Sequence, residues 1–186
     1  MPKDPLARIR ERSLCNAGVF KVLVVDDSAL NVKVMVRLLK STIAKHPTVF
    51  ASSNSNSNSI NNPARLCSEV VDIDHDLDGG VEEKPVVMEI VEADDGQTAV
   101  AKVAEAAAAG APFDAVFMDN IMNHMNGPDA AQMMRAAGFE GLIIGVTGNV
   151  MVTDVDGYIA AGANLVLFKP INPPEILPVL KKMKQQ

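Results

Sequence analysis

Short apolar runs alternate with amphipathic stretches along most of this chain. The apolar runs predict five strands, near residues 20–25, 86–92, 115–118, 142–146 and 165–168. The stretches between them have helical spacing: one helix starts at Ser28, others span about 96–109, 128–137 and 151–161, and a last helix carries Ile176, Leu177, Leu180 and Met183 inward. Strands that alternate with helices predict an α/β fold with an open parallel sheet.

Residues 43–84 interrupt this alternation. They include a Ser/Asn tract at 52–59 and an acidic run at 72–78, which are too polar to bury a core. We therefore expect a disordered, low-complexity insertion between the first helix and the second strand. Residues 1–19 mix charges without a period and predict a solvated leader, whose arginines leave a weak organelle-transit interpretation open. The predicted domain spans 20–184, interrupted by the insertion.

Three further expectations concern the predicted helices. The buried stripe of the first helix is predicted to be Leu30, Val34, Met35, Leu38 and Leu39. Pro178 removes an internal donor from the last helix, which should therefore begin late or bend. Asp94 and Asp95 precede the second helix and are expected to form a solvated helix start.

Composition narrows the class of protein. The chain has 186 residues, 48% of them hydrophobic, which suits one soluble domain with a full core. A net charge of −6 does not predict the basic surface that direct binding of nucleic acid or an anionic membrane requires. Cys15 and Cys67 have no metal-ligand spacing and predict reduced cytosolic thiols. We expect a cytoplasmic protein, nuclear or membrane-tethered only as part of a larger one.

Polar residues that suit phosphate chemistry follow four of the predicted strands. They are Asp26, Asp27, Asp119, Thr147 and Lys169. Because the carboxyl ends of adjacent parallel strands converge on one crevice, these side chains are expected to share a pocket. Three clustered acids repel one another unless a cation binds, and an all-oxygen site open to water suits Mg²⁺. Thr147 and Lys169 supply the donors that a phosphate oxygen needs.

In this order the motifs resemble the receiver domains of two-component response regulators and hybrid histidine kinases. The matching segments are Val24-Val25-Asp26-Asp27-Ser28, Met118-Asp119 with Met122, Met125 and Gly127, then Val146-Thr147, and Phe168-Lys169-Pro170. The resemblance implies a flavodoxin-like, doubly wound sheet of five parallel strands in the order 2-1-3-4-5, with helices on both faces. Asn31 also resembles a pattern of hybrid-kinase receivers.

The resemblance also implies a role for each residue of the pocket. Asp119 is the phosphoacceptor, and Mg²⁺ is held by Asp26, Asp27, Asp119 and the backbone carbonyl of Ile121. Because Mg²⁺ keeps several waters, Asp27 is expected to coordinate it directly and Asp26 through a metal-bound water. Lys169 and Thr147 bind phosphoryl oxygens, and Pro170 follows a cis peptide bond.

Such a protein is a phosphorylated switch rather than a turnover enzyme, at most catalysing its own phosphorylation and dephosphorylation. The donor is expected to be a phosphohistidine on a histidine kinase or a histidine phosphotransfer protein. A downstream effector is expected to bind the face made of helix four, strand five and helix five. Neither nucleic acid nor a membrane is an expected direct partner.

Two departures from the family pattern keep other functions open. Asn123 replaces the usual Pro, which predicts a more flexible loop after Asp119. Val166 stands where the family has Tyr or Phe; Phe168 is expected either to be a static core side chain or to fill that space beneath Thr147 and move with it. One alternative is therefore a receiver-like interaction module that no longer phosphorylates. Another is a flavodoxin-like nucleotide-binding enzyme, against which no Gly-rich phosphate loop follows the first strand.

Overall fold

The computed structural model of the chain describes residues 19–46, 87–148 and 152–184. The predicted leader up to residue 18, and all of the predicted insertion from residue 47 onward, lie outside the described residues. The first strand and the first helix each extend slightly beyond the bounds predicted for the domain. Val19 is the first residue of the first strand, and the first helix continues to Lys45, beyond the predicted start of the insertion at 43.

Five strands and five helices alternate through the described residues. The strands are β1 (Val19–Val25), β2 (Val87–Ala93), β3 (Ala115–Asp119), β4 (Leu142–Thr147) and β5 (Leu165–Phe168). The helices are α1 (Ala29–Lys45), α2 (Gly96–Ala108), α3 (Gly127–Ala136), α4 (Val152–Ala160) and α5 (Pro173–Lys184). Apolar periodicity thus located every element. Within the described ranges, no helix has the length and apolarity needed to cross a membrane.

The strands form one parallel sheet in the order β2-β1-β3-β4-β5, as predicted. β1 is paired on both sides, with β2 and with β3. Nearly every side chain of β3 and β4 is buried, because helices cover both faces of a parallel sheet. The registers place Val25 opposite Met118 and Thr147 opposite Phe168, which aligns the strand ends at one edge.

Two core layers lie on opposite faces of the sheet. One packs α1 and α5 against β1, β3 and β4, through residues such as Leu39, Leu180 and Ile144. The other packs α2, α3 and α4 against the reverse side of the same strands, and Tyr158 belongs to it. The predicted doubly wound arrangement, with helices on both faces, is confirmed.

The buried face of α1 differs from the predicted stripe. Leu30 and Val34 are 70% and 59% exposed, whereas the buried residues are Val32, Met35, Leu39 and Thr42. Apolar residues occupy more than one side of this helix, so helical spacing alone did not decide which side faces the sheet.

For the last helix, a late start was one of two predicted effects of Pro178, and that one was wrong; a bend stays a prediction. α5 begins at Pro173, so it does not begin late, and it continues past Pro178 to Lys184. Prolines in a first turn remove amides that have no partner within the helix. Pro178 is exposed, and the amide it lacks is the one that would have bonded to the carbonyl of Pro174.

Candidate metal and phosphoryl-binding site

Three carboxylates meet where β1 and β3 end. The two strands are parallel neighbours with Val25 opposite Met118, so the residues that follow, Asp26 and Asp119, lie side by side. Carboxylate oxygens of Asp26, Asp27 and Asp119 all lie within 4.8 Å of one another. The structure thus brings together the three acids that the sequence placed at strand ends.

Lys169 reaches this cluster from the end of β5. Its backbone N–H donates to the carbonyl of Thr147 at 2.8 Å, which fixes its position beside β4. Its ammonium Nζ lies 2.8 Å from Asp26 Oδ2 and 2.8 Å from Asp119 Oδ1. The peptide bond between Lys169 and Pro170 is cis. One lysine therefore bridges the carboxylates that end two neighbouring strands.

The charges of this cluster are strongly coupled. Burial lowers the pKa of Lys169, but the hydrogen bonds and charges of Asp119 and Asp26 outweigh it, so the pKa is raised above 10.5. Burial, aided by the negative charge of Asp26, raises the pKa of Asp119 above 3.8 even though Lys169 acts in the opposite direction. Three carboxylates carry more negative charge than one ammonium neutralises, which favours a further cation at the cluster.

Asp26 and Asp27 are in different surroundings. Asp26 is buried, and Oδ1 accepts hydrogen bonds from the backbone N–H of Ser28 at 2.9 Å and from Asn31 Nδ2 at 3.0 Å. Asp27 is exposed, and Oδ2 accepts from Asn123 Nδ2 at 3.1 Å. Carboxylate oxygens at this spacing fit a hard divalent cation such as Mg²⁺, and Asp27 is the more accessible of the two carboxylates.

The other two predicted site residues lie on either side of Asp119. Thr147 ends β4, the strand between β3 and β5, and is 2% exposed. Ile121 is in the loop that follows Asp119, with a side chain 68% exposed. Coordination of a metal by its backbone carbonyl stays a prediction.

Asp95 is not the solvated helix start that the sequence suggested. It is 6% exposed, and Oδ1 caps α2 by accepting from the backbone N–H of Gln97 at 2.9 Å. Oδ2 accepts from the backbone N–H groups of His124 at 2.9 Å and Met125 at 3.4 Å. Burial raises the pKa of Asp95, but these three amides and the charge of His124 outweigh it and lower the pKa below 3.8.

The loop after Asp119 is consequently held at two points. Asp95 binds its backbone at His124 and Met125, while the Asn123 side chain binds Asp27. A missing proline predicted a more flexible loop here. Asn123, which replaces the proline, connects the loop to the acid cluster, and the greater flexibility stays a prediction.

Tyr158 is a residue of this region that the sequence analysis missed. It lies on α4, is fully buried, and its hydroxyl donates to the backbone carbonyls of Met118 at 2.9 Å and Asp119 at 3.1 Å. Phe168, which was expected to fill space beneath Thr147, is 39% exposed. The expectation of a core Phe168 was wrong, whereas Tyr158 of α4 lies in the core cluster against which Val166 packs. The available signal was that Tyr158 is the only tyrosine in the chain.

Comparison with known proteins agrees with this geometry. Residues 77–181 match the family model of the response regulator receiver domain. Asp26 and Asp27 precede the matched range, and the pairing of β1 with β3 places them beside Asp119. Two-component response regulator ORR41 of Oryza sativa subsp. japonica is 36% identical over 93 residues, which are 50% of this chain and 71% of that protein.

Matches to other curated proteins are shorter. Transcription factor SKN7 of Chaetomium thermophilum is 41% identical over 58 residues, 31% of this chain. Two-component system protein A of Emericella nidulans is 36% identical over 70 residues, 38% of this chain. These matched residues span only 8% and 10% of the two fungal proteins.

Solved structures share the fold. The receiver domain of a sensor histidine kinase from Pseudomonas aeruginosa, with a magnesium ion coordinated in its active-site cleft, aligns with a TM-score of 0.58 and 20% identity. The alignment covers 90% of this chain and 98% of that one. A structure of the CheX-CheY complex of Borrelia burgdorferi aligns with a TM-score of 0.55 and 19% identity, covering 89% and 88%. This chain belongs to the family of response regulator receiver domains.

Proposed function

We propose that this receiver domain is a phosphorylated switch in which Asp119 accepts a phosphoryl group. The observation that supports this most directly is the position of Lys169, whose ammonium contacts both Asp119 and Asp26 at 2.8 Å within the acid cluster. Such a lysine can move with a transferred phosphoryl oxygen while remaining close to the carboxylates. Phosphoryl transfer depends mainly on positioning and neutralisation of charge, which is what this cluster provides.

In the proposed reaction, a carboxylate oxygen of Asp119 forms a bond to phosphorus. The bond between phosphorus and the donor atom breaks, and the electron pair leaves with that donor. Lys169 stabilises charge on one phosphoryl oxygen, and the hydroxyl of Thr147 donates to another. Hydrolysis of the acyl phosphate by water later returns Asp119 to a carboxylate.

A divalent cation is expected to bind among the same residues. Asp27, Asp119 and the carbonyl of Ile121 would hold Mg²⁺ directly, and Asp26 would bind one of its waters. Bound Mg²⁺ would neutralise the developing charge on phosphoryl oxygens. Asp26 suits the indirect role because its carboxylate already accepts hydrogen bonds from Ser28, Asn31 and Lys169.

The proposed donor is a phosphohistidine on a histidine kinase or a histidine phosphotransfer protein. After the phosphoryl group leaves, the histidine nitrogen keeps the electron pair and regains a neutral ring. The proposed output is a change in the affinity of a protein partner for the face made of α4, β5 and α5.

Acetyl phosphate tests the proposal without a cognate kinase. With Mg²⁺ present, intact-mass spectrometry should detect one added phosphoryl group on the wild-type protein and none on Asp119→Asn. Asp129→Asn is the matched control, since it removes an exposed acid on α3 outside the cluster and should phosphorylate like wild type. Phosphorylation of Asp119→Asn would reject the assignment. A folded wild type that stays unmodified with both acetyl phosphate and a phosphohistidine donor would favour the interaction module.

A further inference from the structure

Tyr158 connects α4 to the end of the strand that carries Asp119. Its side chain is fully buried, and one hydroxyl serves two consecutive carbonyls, those of Met118 and Asp119. A phenol has a single proton to donate, so these two carbonyls share it. The contact joins the helix next to Thr147 to the backbone of the proposed phosphoacceptor itself.

Two glycines provide the room that this side chain needs. A Cβ added to Gly145 on β4 would lie 3.0 Å from the ring of Tyr158, which is tighter than ordinary packing. A Cβ on Gly127, at the start of α3, would collide with the Tyr158 hydroxyl and with the carbonyl oxygen of Asp119. The cavity around the phenol is therefore shaped by the backbone of β4 and α3, and its occupant has little freedom to shift without moving α4.

The neighbouring position on β5 is correspondingly small. Val166 is partly buried and packs against the core cluster that contains Tyr158. An aromatic residue at Val166, as the family resemblance would suggest, would compete with the phenol for this space. Tyr158 of α4 thus places a buried aromatic ring in this core layer, whereas β5 has a valine at position 166.

The electrostatics of the phenol agree with a link to Asp119. Burial, followed by the negative charge of Asp119, raises the pKa of Tyr158 far above its ordinary value of 10.0. The hydroxyl therefore stays protonated and remains a donor at any physiological pH. It also lies close enough to the carboxylate for a change of charge there to alter its energy.

We propose that Tyr158 is a positioning residue that couples the state of Asp119 to α4 through the hydrogen bonds of its hydroxyl to the carbonyls of Met118 and Asp119. The inference rests on the proposed phosphorylation of Asp119. A phosphoryl group pulls the end of β3 toward Lys169 and Thr147, and the shared hydrogen bond transmits that displacement to α4. The phenol thereby makes this link from α4, in a chain that has Val166 where the family has Tyr or Phe on β5.

Tyr158→Phe tests the coupling, because it keeps the ring and removes only the hydroxyl. Wild type and variant are loaded with beryllofluoride and Mg²⁺, and hydrogen exchange is measured in peptides covering 152–160. We expect the loading-dependent change in exchange to fall to about half or less in Tyr158→Phe, while acetyl phosphate still phosphorylates Asp119. Val103→Ala is the control for general destabilisation, since Val103 is buried in the same core layer but has an apolar side chain without hydrogen bonds.

An unchanged exchange response in Tyr158→Phe would overturn the inference, as would an equal loss of response in Val103→Ala. Failure of the wild type to take up a phosphoryl group would instead contradict the proposed function. The two failures are therefore distinguishable in one set of samples.

A second set of variants tests the shared space without any phosphorylation. Val166→Tyr alone should lower the melting temperature, because the phenol of Tyr158 already fills the cavity. The double variant Tyr158→Ala, Val166→Tyr should melt at a higher temperature than Tyr158→Ala alone, since the strand then supplies the ring. If the fall in melting temperature of the double variant equals the sum of the falls in the two single variants, the two positions do not share a cavity.

Discussion

The side-chain amide of Asn123 donates a hydrogen bond to Asp27 Oδ2 across 3.1 Å. This contact joins the loop after β3 to the carboxylate that is exposed at the end of β1. Asp26, its neighbour in sequence, is buried and bound to Lys169 instead. Two adjacent acids therefore differ in how readily a cation reaches them.

This difference predicts unequal effects on Mg²⁺ affinity. Asp27→Ala should weaken binding more than Asp26→Ala, because only Asp27 is proposed as a direct ligand. Asn123→Ala should also weaken binding, by about tenfold, because Asn123 holds the proposed ligand Asp27 in place. Calorimetric titration of the three variants measures the order. Equal losses for the two aspartates would refute the division of roles.

Asp95 is predicted to stabilise both α2 and the loop after Asp119. Asp95→Ala removes the acceptor of three backbone amides and should cost roughly 1–3 kcal/mol in the free energy of unfolding. Asp94→Asn is the matched control, because Asp94 is exposed, and should stay within about 0.5 kcal/mol of wild type. Urea unfolding gives both values. A mild effect of Asp95→Ala, like that of the control, would contradict the contacts.

The charge of Asp95 also predicts a pH dependence. Its folded pKa lies below 3.8, so the carboxylate contributes stability at pH values above the unfolded pKa and loses it as the pH falls through the folded pKa. The stability advantage of wild type over Asp95→Asn should therefore be complete near neutral pH and shrink in acid. Melting temperatures of both proteins between neutral pH and about pH 3 test this. A constant difference over that range would rule out the charged contact.

Arg135 is predicted to fasten α3 to the turn between α4 and β5. Its guanidinium donates to the carbonyls of Gly162 at 3.0 Å and Gly141 at 2.8 Å, and to Asn164 Oδ1 at 2.7 Å. Arg135→Ala should cost roughly 2–3 kcal/mol in the free energy of unfolding. Arg135→Lys should recover only part of it, because an ammonium lacks the planar fork.

The control for Arg135 is Arg37→Ala, which removes an exposed arginine on α1. Its effect should stay within about 0.5 kcal/mol. Full recovery by Arg135→Lys would mean that charge alone, rather than the fork geometry, accounts for the contact.

Shortening the predicted insertion should leave the domain intact. Replacement of residues 52–78 by a short Gly/Ser linker is expected to change stability by about 1 kcal/mol or less, because closure entropy depends weakly on loop length. Phosphorylation by acetyl phosphate should proceed at the wild-type rate, since the described contacts of the site come from other residues. A large fall in melting temperature would mean that the removed segment packs on the domain.

The elements and the meeting of the acids were predictable from local periodicity and from the residues at strand ends, whereas the strand order followed from the family resemblance. Val25 to Asp27 and Met118 to Asp119 are apolar runs that end in acids, and parallel pairing alone brings such ends together. The sequence did not predict which side of α1 faces the sheet. Leu30 and Val34 continue the helical spacing, yet contacts with α5 and the sheet turned Val32 inward instead.

The sequence did not reveal which side chains contact groups that lie far away along the chain. Asp95 contacts His124 across 29 positions of the chain, and Tyr158 contacts Asp119 across 39. Local patterns assign a helix start or a buried helix face at such residues, but they do not reveal which backbone groups lie opposite. These two contacts depend on how α2 and α4 are packed, and packing is set by the whole core.

The central position of β1 has a practical consequence. The segment 19–46 supplies the strand between β2 and β3 together with Asp26 and Asp27, while Asp119, Thr147 and Lys169 all come from residues beyond 87. The proposed phosphorylation site is thus divided between two stretches of one polypeptide. If the gene were split between these stretches, neither half alone would contain all the residues proposed to bind the metal and accept phosphate. Phosphorylation restored by mixing the two halves would show that they had reassembled.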